Sequence, residues 1–123
     1  MKQLIMEESQ FSPRVELNPE GEISINGNCI VEDSIGFFSP IFRWIKICTF
    51  KTVKIEFRIY YANTSSVKQF YNLLTLVKEN YRIKNIYVNW YFEEGDDEHF
   101  ELGKTLESLS NIPFDYFEYS HAC

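Results

Sequence analysis

The sequence predicts an α/β domain of two layers, in which a mixed sheet of about five strands carries helices mainly on one face. Two runs, residues 53–61 and 85–93, alternate strictly between apolar and polar side chains, as half-buried strands do. Helix-length segments separate the later strands, so right-handed crossovers should make these strands parallel. A parallel sheet covered on both faces would show nearly continuous apolar runs, and the alternation therefore predicts one open face.

The first half of the chain predicts a hairpin and one helix. Alternating runs at 14–17 and 22–26 surround turn residues at 18–21, which is typical of a β-hairpin. A helix over 35–48 follows the capping oxygens of Glu32, Asp33 and Ser34. Ser39 and Pro40 form a second candidate start, so this helix is either kinked at Pro40 or begins there.

The second half of the chain completes the predicted order ββαβαβαβ. The strand at 53–61, with Tyr61 on its apolar face, leads into a helix that begins near Thr64 or Ser65. The strand at 85–93 and an acidic turn lead into a helix, and residues 114–119 form the last strand. The apolar stripe of the third helix contains His99, Leu102, Leu106 and Leu109.

Length and composition indicate one domain over residues 1–123, with residues 1–10 expected to form a loose N-terminal segment. Hydrophobic residues make up 45% of the 123 residues, enough for a packed core. The formal net charge of −6 disfavours nucleic acid and anionic membrane surfaces as partners. The three cysteines, Cys29, Cys48 and Cys123, form no metal-binding pattern, and no signal or spanning segment is present, which favours the cytoplasm, no metal or other cofactor and no membrane insertion.

The segment Asn63-Thr64-Ser65-Ser66 joins the most regular strand to the most regular helix. Such side chains commonly cap the free N–H groups of a helix start, so capping alone is one interpretation. A modification site is the other, because loops at the carboxyl ends of parallel strands present ligands and a helix N-terminus tolerates a phosphate. A phosphoryl group on Thr64 would add roughly −1.5 to −2 charge.

The run Tyr61-Ala62-Asn63-Thr64-Ser65-Ser66-Val67-Lys68 resembles the SiaC-like regulatory phosphoproteins of bacteria, whose fold is similar to the STAS domains of anti-sigma factor antagonists. The upstream block Glu32-Asp33-Ser34, followed by Phe37-Phe38, Pro40 and Trp44, supports the resemblance, which extends over residues 11–119.

The resemblance implies a STAS-like signalling adaptor rather than an enzyme. Thr64 would be phosphorylated by a serine/threonine kinase with a histidine-kinase-like fold, and a PP2C-type phosphatase would remove the group. The unmodified form would bind and activate a diguanylate cyclase, which links the chain to cyclic di-GMP signalling and biofilm regulation. Asn63, Ser65 and Ser66 would surround the phosphorylation site.

Two apolar surfaces are candidates for partner binding. Phe37, Ile41 and Trp44 lie on one side of the first helix and either face a partner or are buried in a small core. Tyr60, Tyr87 and Tyr91 on the open sheet face either form an interface patch or stabilise the sheet through cross-strand pairs.

Other functions have less support in the sequence. A small α/β enzyme would need Ser65 or Ser66 as nucleophile, but no GxSxG turn is present and His99 and His121 are the only imidazoles. His99 lies on an apolar stripe and is expected to be structural, and the acidic run 93–98 is expected to form a turn and a helix start. A structural interaction subunit without a phospho-switch is the remaining alternative.

Overall fold

The structure is a computed structural model that describes residues 2–120, so His121 and Cys123 lie outside the described residues. Six strands form one mixed sheet in sequence order: β1 (Leu4–Met6), β2 (Arg14–Leu17), β3 (Glu22–Cys29), β4 (Thr52–Ala62), β5 (Asn85–Glu93) and β6 (Phe114–Tyr119). The strands from β1 to β3 pair antiparallel and those from β3 to β6 pair parallel. Helices α1 (Ser34–Lys46), α2 (Thr64–Glu79) and α3 (Asp97–Ser110) connect the parallel strands.

The N-terminal segment differs from the loose segment expected at residues 1–10. Leu4 pairs with Leu17 and Met6 with Val15, which adds a sixth strand to the predicted five. The carbonyl oxygen of Lys2 also accepts a hydrogen bond from Trp44 Nε1 at 2.9 Å. Because β1 has only three residues, it is too short for its alternation to be recognised in the sequence.

The core lies between one face of the sheet and the three helices, which confirms the predicted two-layer α/β fold. Val53, Ile55, Phe57 and Ile59 of β4 are buried, and they share one hydrophobic cluster with residues of α1, α2 and α3. Lys54 and Tyr60 point to the opposite, open face and are exposed. The predicted burial of Tyr61 is wrong: the register of β3 and β4 shifts between Gly27 and Cys29, which interrupts the alternation of faces, and Tyr61 is 72% exposed.

Helix α1 begins at the first of its two candidate starts, after Asp33 rather than at Pro40. Asp33 Oδ1 accepts a hydrogen bond from the backbone N–H of Gly36 at 3.0 Å, so the helix begins at Ser34 and continues through Pro40. Proline lacks the N–H that would bond one turn back, but the flanking apolar side chains still pack against the core.

Of the two interpretations of Phe37, Ile41 and Trp44, the structure supports burial in the core for two residues and so excludes them from an exposed partner surface. Ile41 is fully buried and Trp44 is 7% exposed, while Phe37 is half-buried against Phe38. Helix α1 packs against both the sheet and α2, with the rings of Phe38 and Phe70 5.9 Å apart. A helix that contacts two elements buries a wider apolar sector than one stripe, which a 3.6-residue periodicity alone does not reveal.

The buried stripe of α3 differs from the predicted one at two positions, each one residue closer to the helix end. His99 and Leu106 are buried as expected, but Leu109 is 60% exposed and Gly103 and Ser110 occupy the buried face instead. Gly103, on this buried face, lets α3 approach the sheet closely. Small residues such as glycine and serine add no apolar signal to the sequence, so the pattern did not reveal these positions.

A carboxylate joins the end of α3 to β6. Glu107 Oε2 accepts a hydrogen bond from the backbone N–H of Phe114 at 2.8 Å, and Oε1 accepts one from the Tyr116 hydroxyl at 2.7 Å. Both hydrogen bonds lower the pKa of Glu107 below its ordinary value of 4.5, and the bond from the Phe114 N–H has the larger effect. The ionised carboxylate is therefore the form that stabilises this junction.

Glu107→Gln should reduce the acid sensitivity of folding. A depressed folded-state pKa contributes stability above pH 4.5, and that stability is lost as the pH falls through the folded pKa. Urea unfolding at neutral pH should show the variant to be about 1 kcal/mol less stable, with a smaller further loss below pH 4.5 than the wild type. Glu118→Gln, an exposed position on β6, is the matched control. Equal acid-induced losses in wild type and Glu107→Gln would contradict this role.

Candidate functional site

The candidate site is the junction at which β4 ends and α2 begins, at the carboxyl edge of the parallel strands. Asn63 is in extended conformation and caps α2, because its Oδ1 accepts a hydrogen bond from the Ser66 N–H at 3.0 Å. Its Nδ2 donates to the carbonyl oxygen of Val31 at 3.0 Å, and its backbone N–H donates to that of Cys29 at 3.1 Å. The last two bonds tie the junction to the end of β3 and to the loop between β3 and α1.

Thr64 is the first residue of α2 and is exposed. Among residues 2–120, none forms a hydrogen bond with its hydroxyl group, since Asn63 provides the cap. Ser65 is also exposed, and its hydroxyl donates to Asn63 Oδ1 at 3.4 Å. The structure thus assigns capping to Asn63 and leaves the Thr64 hydroxyl open to solvent.

Ser66 lies below the surface of the junction and is fully buried. Its hydroxyl forms no hydrogen bond of regular geometry within the described part of the chain, and its polar neighbour is the sulfur of Cys29. Burial raises the pKa of the Cys29 thiol, and the Ser66 hydroxyl acts in the opposite direction. Ser66 therefore belongs to the core beneath the site, whereas Thr64 and Ser65 form its surface.

The charge around the start of α2 differs from that at the other helix starts. Aspartate side chains cap α1 and α3, and α3 also has Asp97 and Glu98 in its first turn. The cap of α2 is an uncharged asparagine, and its first turn contains no acidic residue. Lys68 lies four residues after Thr64, the spacing at which side chains are neighbours on a helix. Of the three helix starts, this one is the most favourable for an added negative charge.

Two large apolar side chains are exposed on the segments that meet at the junction. Tyr61 is 72% exposed and lies two residues before the cap, and Ile35 is 73% exposed in the first turn of α1. The Asn63–Val31 hydrogen bond connects the two segments that carry them. The sequence did not indicate either residue as part of a partner surface. Tyr61 was expected on the buried face of its strand, and the candidate surface on α1 was Phe37, Ile41 and Trp44.

The open-face tyrosines make different contacts from those anticipated. Tyr91 stacks on Phe117 of β6, with ring centroids 5.1 Å apart, and the guanidinium of Arg58 lies 4.1 Å from the Tyr91 ring centroid. Tyr60 and Tyr87 remain about half exposed on the same face. A cross-strand aromatic pair therefore exists, but its partner is a phenylalanine of the edge strand.

His99 has the surroundings of a structural histidine. Its ring stacks on Trp90 at 4.8 Å, and burial lowers the pKa of the imidazole although Asp96 acts to raise it. No histidine within residues 2–120 hydrogen-bonds Ser65 or Ser66, and no cluster of three potential metal ligands occurs in that part of the chain. None of the helices described there is long and apolar enough to cross a bilayer.

Fold and site together define a class: two-layer mixed α/β proteins that present a hydroxyl at an uncharged helix start. SiaC of Pseudomonas aeruginosa has the same fold, with a TM-score of 0.81 and 21% identity over 98% of this chain and 100% of that one. The sequence model of the SiaC family regulatory phosphoproteins matches residues 6–119. The chain therefore belongs to the SiaC family of regulatory phosphoproteins, and the resemblance found in the sequence is confirmed.

Two further comparisons agree with this assignment. The crystal structure of the diguanylate cyclase SiaD in complex with its activator SiaC from P. aeruginosa matches with a TM-score of 0.81 and 20% identity, over 96% of this chain and 99% of the other. An uncharacterised protein of P. aeruginosa strain UCBPP-PA14 is 22% identical over 98 residues, which is 76% of this chain and 78% of the relative.

Proposed function

We propose that this chain is a cytoplasmic signalling adaptor controlled by reversible phosphorylation of Thr64. A histidine-kinase-like serine/threonine kinase transfers the γ-phosphoryl group of ATP to the Thr64 hydroxyl, and a PP2C-type phosphatase removes it. The unmodified form binds and activates a diguanylate cyclase and so regulates biofilm formation. The observation that carries the proposal is the exposed Thr64 hydroxyl on a rigid helix start that contains no carboxylate.

The helix start can accept the phosphate without a change of fold. Free N–H groups and the positive end of the helix dipole face the group, and Lys68 is one turn away. The phosphate would carry roughly −1.5 to −2 charge at neutral pH. A partner docked over this junction would have to desolvate that charge, which is costly unless the partner supplies a counter-charge. Phosphorylation therefore acts on the docking surface rather than on the stability of the domain.

In this proposal the exposed side chains of Ile35, in the first turn of α1, and Tyr61, at the end of β4, form the docking surface together with Thr64. Both side chains are more than two-thirds exposed, and exposed apolar groups beside a polar modification site are typical of a protein interface. The family assignment and the crystal structure of the SiaC–SiaD complex from P. aeruginosa support a diguanylate cyclase as the occupant.

Intact-mass spectrometry after incubation with the cognate kinase and ATP tests the phosphorylation step. The wild type should gain the mass of one phosphoryl group, and Thr64→Ala should gain none. Ser65→Ala is the matched control, because it removes the neighbouring exposed hydroxyl and should still be modified. A wild type that stays unmodified, or a Thr64→Ala variant that is modified equally, would overturn the switch.

A further inference from the structure

A cleft opens at the carboxyl edge of the sheet because β4 and β5 separate there. Their parallel pairing begins at Thr52 and Asn85 and ends at Phe57 and Trp90. Beyond that point β4 continues to Ala62 beside β3, and β5 continues to Glu93 beside β6. Neighbouring strands that diverge in this way leave a gap between them, at the edge where α/β proteins commonly bind ligands.

The gap has the size of a small-molecule site. Its volume is about 540 Å³, and an adjoining hollow of about 350 Å³ shares Tyr60, Tyr61, Asp96 and His99 with it. Ligand pockets in proteins typically measure about 300–1,000 Å³. Strand ends and the start of α3 supply the main polar and aromatic walls of the cleft: Arg58, Tyr60, Tyr61, Glu93, His99 and Tyr119.

The walls of the cleft and hollow favour positive charge. Their carboxylates are those of Glu93, Asp96 and Glu98, against the single guanidinium of Arg58. That guanidinium already lies over the Tyr91 ring. Burial lowers the pKa of His99, which favours the uncharged form of its imidazole. The acidic first turn of α3 further disfavours an anion at this helix start.

Aromatic walls strengthen the preference for a cation. Tyr60, Tyr61 and Tyr119 line the cleft, and tyrosine rings attract ammonium and guanidinium groups that lie over their faces. The ordered contact of Arg58 with Tyr91 shows the same interaction within the chain.

We propose that this cleft binds an organic cation, a guanidinium or primary alkylammonium group, between the tyrosine rings and the carboxylates of the α3 start. The source is either a small molecule or an arginine or lysine side chain of another protein. Thr64 does not line the cleft, although Tyr61 belongs to both the cleft and the proposed docking surface. The binding tests use the unmodified chain, so they test the cleft apart from phosphorylation.

Titration of the ¹⁵N-labelled chain with n-butylguanidinium tests the site, with neutral n-butylurea as the isosteric control. The guanidinium compound should shift the resonances of Tyr60, His99 and Tyr119 at saturable concentration, and n-butylurea should bind about tenfold more weakly or not at all. Raised salt should weaken the binding, because exposed carboxylates contribute. Equal binding of the two compounds, or the absence of saturable shifts at the cleft, would overturn the proposal.

Variants separate the aromatic contribution from the charge. Tyr60→Leu should weaken n-butylguanidinium binding about tenfold, while Tyr60→Phe retains the ring and should bind like the wild type. Tyr87→Leu changes a tyrosine of similar exposure outside the cleft and should have no effect. If Tyr60→Leu and Tyr87→Leu bind equally well, the aromatic role is refuted.

A blocked Gly-Arg-Gly tripeptide distinguishes the two sources of the cation. If the tripeptide binds as tightly as n-butylguanidinium, the cleft accepts an arginine side chain from a protein partner. If only the small cation binds, the cleft accepts a free metabolite. Binding of the tripeptide or of the small cation supports the site. Because the measurement uses the unmodified chain, a lack of binding would not bear on the proposed phosphorylation of Thr64.

Discussion

Thr64→Glu is expected to weaken binding of the cognate diguanylate cyclase by at least about tenfold, whereas Thr64→Ala should bind like the unmodified protein. The Thr64 side chain makes no hydrogen bond with another described residue, so neither substitution removes a hydrogen bond within the described part of the fold. Glutamate adds a charge that the docked partner must desolvate, and alanine adds none. Isothermal titration calorimetry with the purified cyclase measures both affinities.

Ser108→Glu provides the charge-matched control for this prediction. Ser108 is exposed on α3, and the substitution adds the same charge away from the junction. Its affinity for the cyclase should equal that of the wild type. Equal affinities of Thr64→Ala and Thr64→Glu for the cyclase would contradict a switch at this residue. If Thr64→Glu and Ser108→Glu weaken binding equally, the weakening is caused by the net charge of the chain and not by the position of the added charge.

Gly103→Ala should destabilise the domain by about 2–3 kcal/mol, although alanine is intrinsically the better helix former by about 1 kcal/mol. A Cβ atom at Gly103 would lie 2.6 Å from Trp90 Cδ1 and 2.7 Å from Nε1. Trp90 cannot move aside easily, because it is fully buried, its Nε1 donates to the His99 carbonyl oxygen at 3.0 Å, and its ring packs against Phe57. The overlap must be relieved by moving α3 away from the sheet.

Urea unfolding measures this loss directly. Ser108→Ala, on the exposed side of the same helix, should change the free energy of unfolding by less than about 0.5 kcal/mol. A Gly103→Ala variant that is as stable as the wild type, or more so, would show that helix propensity outweighs the contact with Trp90.

Elements that depend on local patterns were predicted closely. The strands at 85–93 and 114–119 have the same bounds as β5 and β6, and the helix expected near Thr64 begins there. Residues 85–93 alternate strictly, the helix has a polar cap before an apolar stripe, and residues 114–119 are a short run rich in aromatic side chains. The signal for β1 is absent because three residues stabilise a strand only through an existing neighbour.

Part of the candidate site was also predicted, because a capping pattern is local in the sequence. The capping pattern located Asn63 and Thr64, but it did not say which side chain caps the helix. That assignment depends on the Val31 carbonyl oxygen, which comes from a distant loop and orients the Asn63 amide. The cleft was not predicted, because its walls come from four strands and a helix start that are far apart in the sequence.

The sequence by itself determined the two-layer fold, the order of its later elements and the place where β4 passes into α2, since periodicity and capping act between residues a few positions apart. Only the tertiary structure decided that Ile41 and Trp44 are buried, that Ile35 and Tyr61 are exposed and that β4 and β5 separate into a cleft. Burial depends on how many elements cover a side chain, and that number is set by long-range packing rather than by the residue or its neighbours in the chain.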